Sequence, residues 1–467
     1  MERCVVINLP GLAAKNLGPD TPNLQAFAER GKMATLGAVL PAVNCTMQAT
    51  LLTGAYPNEH GIVGDGWYHR ETCEIKFWPQ SDKLVQRPQI WETARRLNPD
   101  FSCAKLFWFM NMYSTADYTV TPQPVFPADG RVVPGLYTEP DSLRRPLLDA
   151  LGAFPIFNWW GPSANLRSSR WIADATMWLE RRHQPTLMLT FLPHLDYSPH
   201  AAGPEGEKSA KSLREIDAVC GELIAFYEAR GVRIIVLSEY GVVPVSRSVA
   251  LNRLFRQRGW IAVREEMGRE VLHLGKCAVY AAADLQVAHI YVNNPALLAE
   301  VKAAVEAEPG VAAVLDEEGK RANRLDHPRS GELVALAEPD AWFSYFFWLE
   351  DDRAPDYARA VDIFRKPGYD PLELFLDPQL RLALLKFGWC WLKEKLGIRT
   401  AWEFIPLDAS LLRGAHGLRT APADGPVLIT SEPELLPQQT IHATKVHDLI
   451  LAHLSLRQTR REQGLGG

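Results

Sequence analysis

Residues 41–62 read PAVNCTMQATLLTGAYPNEHGI, and the fold hangs on how this stretch is read. It predicts a loop, a short helix from Cys45 to about Leu52, a stop at Gly54 and a turn over Tyr56 to Glu59. Asn44 and Thr46 are both residue types that cap a helix N-terminus. Such a terminus offers free backbone N–H groups and the positive end of a dipole, which suits an anion. A capped helix alone is weak evidence of a site, because most bind nothing.

Working outward, Cys4 to Leu9 is a short apolar run, the pattern of a buried central strand. Thr21-Pro22-Asn23 starts a helix ending near Arg30, with Gly31 past its end. Further strands are predicted at Met33 to Leu40, Ser102 to Phe109, Thr186 to Leu192 and Arg233 to Leu237. Helices are predicted at Ile90 to Leu97, Arg167 to Arg182 and Leu213 to Arg230. Strands alternating with helices at this spacing give a mostly parallel central sheet flanked by helices, an α/β fold. Function in such sheets gathers at the carboxyl ends of the strands.

Two regions break the alternation. Residues 119–165 are rich in Pro and Gly and read as an insertion over the site face. Residues 257–325 read as a small inserted α+β subdomain, with one strand over 281–292, a helix over 295–306 and a strand over 311–315. The core is then 1–256 together with 326–467. Strands at 331–337 and 342–349, a helix near 379–395, a helix at 443–456 and a polar tail complete the chain.

The net charge of −5 offers no basic excess to neutralise a phosphate backbone, so no nucleic-acid partner is expected. Seven cysteines, an odd number with no CxxC spacing, indicate neither a disulfide frame nor a thiolate zinc site and fit a reducing, cytoplasmic compartment. The first residues enter a strand without a signal-peptide pattern. No apolar run reaches the length of a membrane span; Leu380 to Trp391 comes nearest, and Arg381 and Lys386 interrupt it. Fourteen tryptophans are many. Aromatics crowd into 107–118, 154–160 and 342–348, where they form core or line a pocket for a ring-bearing substrate.

The opening stretch resembles the nucleophile segment of the alkaline phosphatase superfamily, nearest to its nucleotide pyrophosphatase/phosphodiesterase and phosphonoacetate hydrolase branch. The matching residues are Pro41, Thr50, Thr53, Gly54, Pro57, His60, Gly61 and Ile62. Asn44 stands where that family has its nucleophilic Thr, and Asp65 where it has a phosphoryl-binding Asn. Asp196, His200, Gly203 and Pro204 follow the family's loop in which an Asp and a His hold one zinc ion. Arg413-Gly414-Ala415-His416-Gly417 is similar to its Gly-x-His-Gly, the last ligand of that ion. A carboxylate and imidazoles together suit zinc. The resemblance implies a second metal held by an acid at the end of the first strand and by an Asp-His pair. Here those positions are Pro10, Glu239 and Tyr240.

The first metal set is thus whole, while the second set and the nucleophile are altered. The expected function is a metal-dependent hydrolase of phosphodiester, pyrophosphate or phosphonate-type small molecules, with one or two divalent cations, zinc or alternatively manganese. Asp196, His200, His416 and Glu239 are the metal candidates. Asn44 and Thr46 are the catalytic candidates, and Asp65 and Cys45 the substrate-binding ones. The alternative is a relative that binds a phosphorylated or aromatic ligand without turnover. His194, His327 and Arg329 read as loop hydrogen-bonders, and Arg365 and Lys366 as surface charge or contacts for an anion.

Overall fold

Five short apolar runs become the centre of a nine-stranded sheet. In spatial order its strands are Thr440–His442, Lys32–Gly37, Val427–Thr430, Arg233–Leu237, Cys4–Asn8, Leu187–Phe191, Cys103–Leu106, Tyr118–Pro122 and Leu136–Glu139. Only Val427–Thr430 and Leu136–Glu139 run against the others. Cys4–Asn8 lies between two parallel neighbours and is buried throughout, as its unbroken apolar run requires. The structure is a computed structural model and describes residues 1–128, 132–380, 382–398, 400 and 402–456.

Helices cover both faces of the sheet. Pro22–Arg30, Leu166–His183 and Glu207–Glu228 pack together on one side, and Asn44–Thr53, Ile90–Leu97 and Val446–His453 on the other. Asp217 ties two of them, accepting the backbone N–H groups of Asn23 and Leu24 at the first turn of Pro22–Arg30. That carboxylate at a helix start satisfies donors that no side chain of its own cap residue, Thr21, reaches.

The structure departs from the sequence reading in several places. Residues 119–165 add Tyr118–Pro122, Leu136–Glu139 and the helix Arg144–Leu151 to the main layer, instead of an insertion; the long Pro- and Gly-bearing loop of this hairpin masks its periodicity. The single strand expected over 281–292 is a hairpin, Val279–Asp284 and Val287–Val292, turning at Leu285, whose φ is +53°. The smaller sheet runs Val279–Asp284, Val287–Val292, Leu333–Ala337, Val311–Leu315. The expected boundary at 325 therefore falls inside this sheet, because Leu333–Ala337 lies between its other members. Beyond Phe343 the aromatic run 344–348 is buried in the core of this unit without joining a ladder. The polar tail after Leu456 lies outside the described residues.

The helix of the opening stretch spans Asn44–Thr53 and ends at Gly54, whose φ of +70° is the left-handed geometry a glycine adopts at no cost. Neither Asn44 nor Thr46 caps it. Val43 occupies the cap, and the N–H of Cys45 is taken by Asp65 instead, at 2.7 Å. Beneath the helix, His60 is fully buried. Its Nδ1 accepts the N–H of Ile62 at 3.1 Å, and its Nε2–H serves Thr50, 3.0 Å away. Both ring nitrogens are committed in the neutral form, and burial pulls the imidazole down to about 3.

His60 is neutral in the fold at pH values where the unfolded chain's imidazole is protonated. Its contribution is complete above the ordinary value near 6.5 and is lost as pH falls below it, by up to about 1.4 kcal/mol per pH unit. Thermal melts of the parent and of His60→Gln between pH 7 and pH 4 should show a shallower acid decline in the variant.

Candidate active site

Every candidate sits at or beyond the carboxyl end of a strand of the main sheet, or in a segment packed against one. Asp196 and His200 follow Leu187–Phe191, in a tight turn and the short helix Ser198–Ala202. Glu239 and Tyr240 follow Arg233–Leu237, and the loop after Lys32–Gly37 leads to Asn44. His416 comes from far along the chain, beside the two-residue strand Gly414–Ala415.

Asp196, His200 and His416 converge. One ligand atom from each lies within 4.8 Å of the others, and all three are buried. His200 Nδ1 lies 2.8 Å from the carbonyl of Gly414, and His416 Nδ1 lies 3.1 Å from the carbonyl of Ala42. A carbonyl only accepts, so each Nδ1 carries a proton and each Nε2 is the nitrogen that faces the cluster. His200 Nε2 has no hydrogen-bond partner although it is buried, and it lies 3.4 Å from Asp196 Oδ1. The close approach that this needs explains Gly414: a Cβ there would stand 2.2 Å from the carbonyl oxygen of Pro199. Burial, then the neighbouring His200, pulls His416 down to about 3, so it stays neutral. Burial alone would raise Asp196, but the neighbouring His200 and the Tyr240 hydroxyl outweigh it and its carboxyl ionises below the usual range. A carboxylate with two imidazoles is the donor set that a divalent metal takes.

The altered positions form a second, different environment. The Tyr240 hydroxyl lies 2.8 Å from Asp196 Oδ1 and 3.0 Å from Asn44 Oδ1, and its ring stacks on His416 with centroids 3.6 Å apart. Its one proton favours the carboxylate, the stronger acceptor. Burial holds this phenol well above its ordinary range, so it remains neutral. Glu239 stands outside the triad. Its Oε1 accepts from Asn8 and from Gln48, the latter at 2.7 Å, and its Oε2 is unpartnered. Burial raises its carboxyl to about 8, so it holds a proton at neutral pH. Pro10 carries no ligating group.

Asp65 accepts from the Cys45 N–H, and its own N–H goes to Asp284 Oδ2 at 2.9 Å. Asp284 stands at the end of a strand of the smaller sheet. Burial raises both acids, Asp284 to about 7 and Asp65 well above its usual range. The Cys45 amide is thus already occupied, and its thiol is held up by burial and then by Asp65. Thr46 Oγ1 is buried without a partner.

Sequence reasoning overlooked Asp284, Asn8, Gln48 and two members of an aromatic wall, Trp78 and Tyr369, whose other members, Phe109 and Trp160, fall in the aromatic clusters at 107–118 and 154–160. Asn8 left a trace, as the one polar residue in an apolar strand. The wall joins Trp78 to Phe109 (5.2 Å between ring centroids) and Tyr369 (5.3 Å), and Tyr369 to Trp160 (5.8 Å). Tyr369 lies in the field of Asp196, Asp65 and Asp284, which places the wall beside the site. Lys366 anchors it. This lysine is buried, not on the surface, with Nζ 2.7 Å from Asp370 and 2.8 Å from Glu373. Glu373 in turn accepts the indole N–H of Trp160 at 2.5 Å. Burial would pull the ammonium down, and the two carboxylates outweigh it. Arg365, by contrast, pairs with Asp356 and Asp362 at the surface. His194 bonds Glu215, His327 bonds Gln86, and Arg329 donates to the carbonyls of Gly61 and Leu84, all as loop contacts.

This fold and this triad define an alkaline phosphatase-like α/β protein. The family model of type I phosphodiesterase / nucleotide pyrophosphatase matches residues 4–370, and the chain belongs to that family. It is 28% identical over 265 residues to an uncharacterized pyrophosphatase/phosphodiesterase of Schizosaccharomyces pombe, a match covering 54% of this chain and 47% of that protein. Murine ectonucleotide pyrophosphatase/phosphodiesterase 5, in an inactive form with AMP, superposes with a TM-score of 0.60 at 14% identity, covering 98% of this chain and 96% of that one. Phosphonoacetate hydrolase from Sinorhizobium meliloti 1021, with phosphonoformate, gives 0.60 at 16% identity, covering 97% and 95%. At these identities the two structures speak for the fold.

Lys366→Met leaves two buried carboxylates without their counter-charge. It should destabilise the protein by about 3–5 kcal/mol, read from urea unfolding.

Proposed function

We propose that this chain is a metal-dependent hydrolase of small phosphodiester, pyrophosphate or phosphonate-type molecules, with Asp196, His200 and His416 holding one divalent cation. The observation that carries the reading is the convergence of these three buried groups, both imidazoles fixed in the tautomer that presents Nε2. Family membership supports phosphoester hydrolysis, and the AMP and phosphonoformate named with the two similar structures support a small phosphorylated or phosphonate substrate. One carboxylate and two imidazoles suit zinc, with manganese an alternative. When bound, such a cation polarises a phosphoryl oxygen or lowers the pKa of a bound water.

The chain's own residues supply the remainder. Asn44 orients the substrate through its amide, because an amide is not a nucleophile for covalent catalysis. Tyr240 holds Asp196 and braces His416. Glu239, protonated at neutral pH, serves as a proton donor instead of a second ligand. Asp65 in its neutral form avoids repelling a phosphoryl group.

A second reading rests on position 44: with no hydroxyl there, the chain binds a phosphorylated or aromatic ligand without turnover. Elemental analysis of protein prepared without chelators should find about one zinc or manganese per chain. His416→Ala and Asp196→Asn should weaken metal binding by more than about tenfold. With the metal present, the parent should cleave a chromogenic phosphodiester and His416→Ala should not. A parent without turnover, together with an Asn44→Thr variant that gains it, would overturn the hydrolase reading in favour of the second.

A further inference from the structure

The stretch set aside as a membrane span, because cationic residues interrupt it, folds as the helix Ala383–Lys395. Its first and last turns extend by backbone bonds from Leu385 to Leu382 and from Leu396 to Leu392. One side is anchored. Phe387 packs on Phe404 and Trp402 with ring centroids 4.8 and 5.1 Å apart, and Cys390 is buried. The opposite side is bare. Leu382, Leu385, Trp389, Leu392 and Leu396 recur at alternating steps of three and four, which sets them in one stripe along a helix. They are 72, 68, 58, 42 and 68% exposed. A contiguous apolar stripe left in water marks a surface that meets something else.

The charges beside the stripe say what. Lys393 and Lys395 stand on the helix beside the exposed rings, in a chain whose net charge is −5, while the Lys386 ammonium on the anchored side is held by the carbonyl of Glu403 at 2.8 Å. Lys393 Nζ lies 5.3 Å from the ring of Trp389, and Lys395 Nζ lies 5.6 Å from the ring of Trp391. Exposed tryptophan and leucine bordered by lysine is the composition of a helix lying in the plane of a bilayer surface, its apolar side among the acyl chains and its ammonium groups at anionic headgroups. Two copies facing each other across this stripe would bring like charges together. The helix cannot span: thirteen residues reach about 20 Å, and among the described residues no helix is long and apolar enough to cross a membrane.

We propose that the stripe Leu382–Leu396 docks the protein on an anionic lipid bilayer surface. Lysine at its border supplies the electrostatic part of the attraction, and the leucines with Trp389 the apolar part. This inference is independent of the reading of the metal triad, which is built from other segments.

The test uses the full chain with phosphatidylcholine vesicles, with and without phosphatidylserine, in a flotation assay. The expected result is flotation with the phosphatidylserine vesicles, weakened by high salt, with a blue shift in tryptophan emission. The double variant Leu385→Glu/Trp389→Glu should bind about a hundredfold less, the loss expected from withdrawing two apolar side chains from the bilayer. Its far-UV circular dichroism and melting temperature should match the parent. No flotation at low salt would overturn the proposal, as would equal binding by the double variant. It would equally be overturned if sedimentation showed a dimer of the parent that the double variant abolishes, because a second copy would then cover the stripe.

Discussion

A closed circuit of polar contacts holds this site, and no single segment supplies it. His200 gives its Nδ1 proton to Gly414, two residues from His416; His416 gives its own to Ala42, two residues from Asn44. Asn44 meets the Tyr240 hydroxyl, which also meets Asp196, four residues before His200. Each contact fixes a loop that leaves a different strand end or arrives from a distant part of the chain. The sheet brings these loops near one another, and the circuit sets them to hydrogen-bonding distance. Buried imidazoles need this arrangement, since a ring nitrogen without a partner is costly inside a protein. The nitrogens left over after the carbonyls are served are the ones that face the cluster.

Beyond the circuit lies a concentration of buried acid. Glu239, Asp65 and Asp284 are all raised by burial, and each keeps one oxygen without a partner. No buried cationic side chain pairs with them among the described residues. The nearest donors are amides, from Asn8, Gln48 and the backbone of Cys45 and Asp65. Protonation is the means by which such carboxyls live in a dry interior. The helix Asn44–Thr53 has a carboxyl at its start in the position where an anion would otherwise be welcomed. Gln48 links this group to the aromatic wall, because its amide oxygen accepts the Phe109 N–H at 2.7 Å while its nitrogen serves Glu239.

Much of this was legible in the sequence where periodicity or motif spacing was strong. Ile90–Leu97, Arg233–Leu237 and Val311–Leu315 fall where the pattern put them, and Asp196, His200 and His416 could be paired through the loops they occupy. What escaped was contact across long separation. Asp284 meets Asp65 from 219 residues away, and nothing local marks it. Lys366 looked like a surface lysine because its two partners follow it, and the short segment that buries all three carries no helical or strand period. The cap of the key helix was misassigned for the same reason: local residue types favoured Asn44 and Thr46, while tertiary structure delivered Asp65.

Tyr240 performs two tasks with one side chain. Its ring lies flat on His416, and its hydroxyl reaches both Asp196 and Asn44. Any residue drifting into that place must supply an aromatic face and a donor at the same distance, or two members of the triad lose support together. Residues 44, 196 and 416 are thus shaped around one phenol, and a shorter ring at position 240 would lose the stacking face, the hydroxyl's reach, or both.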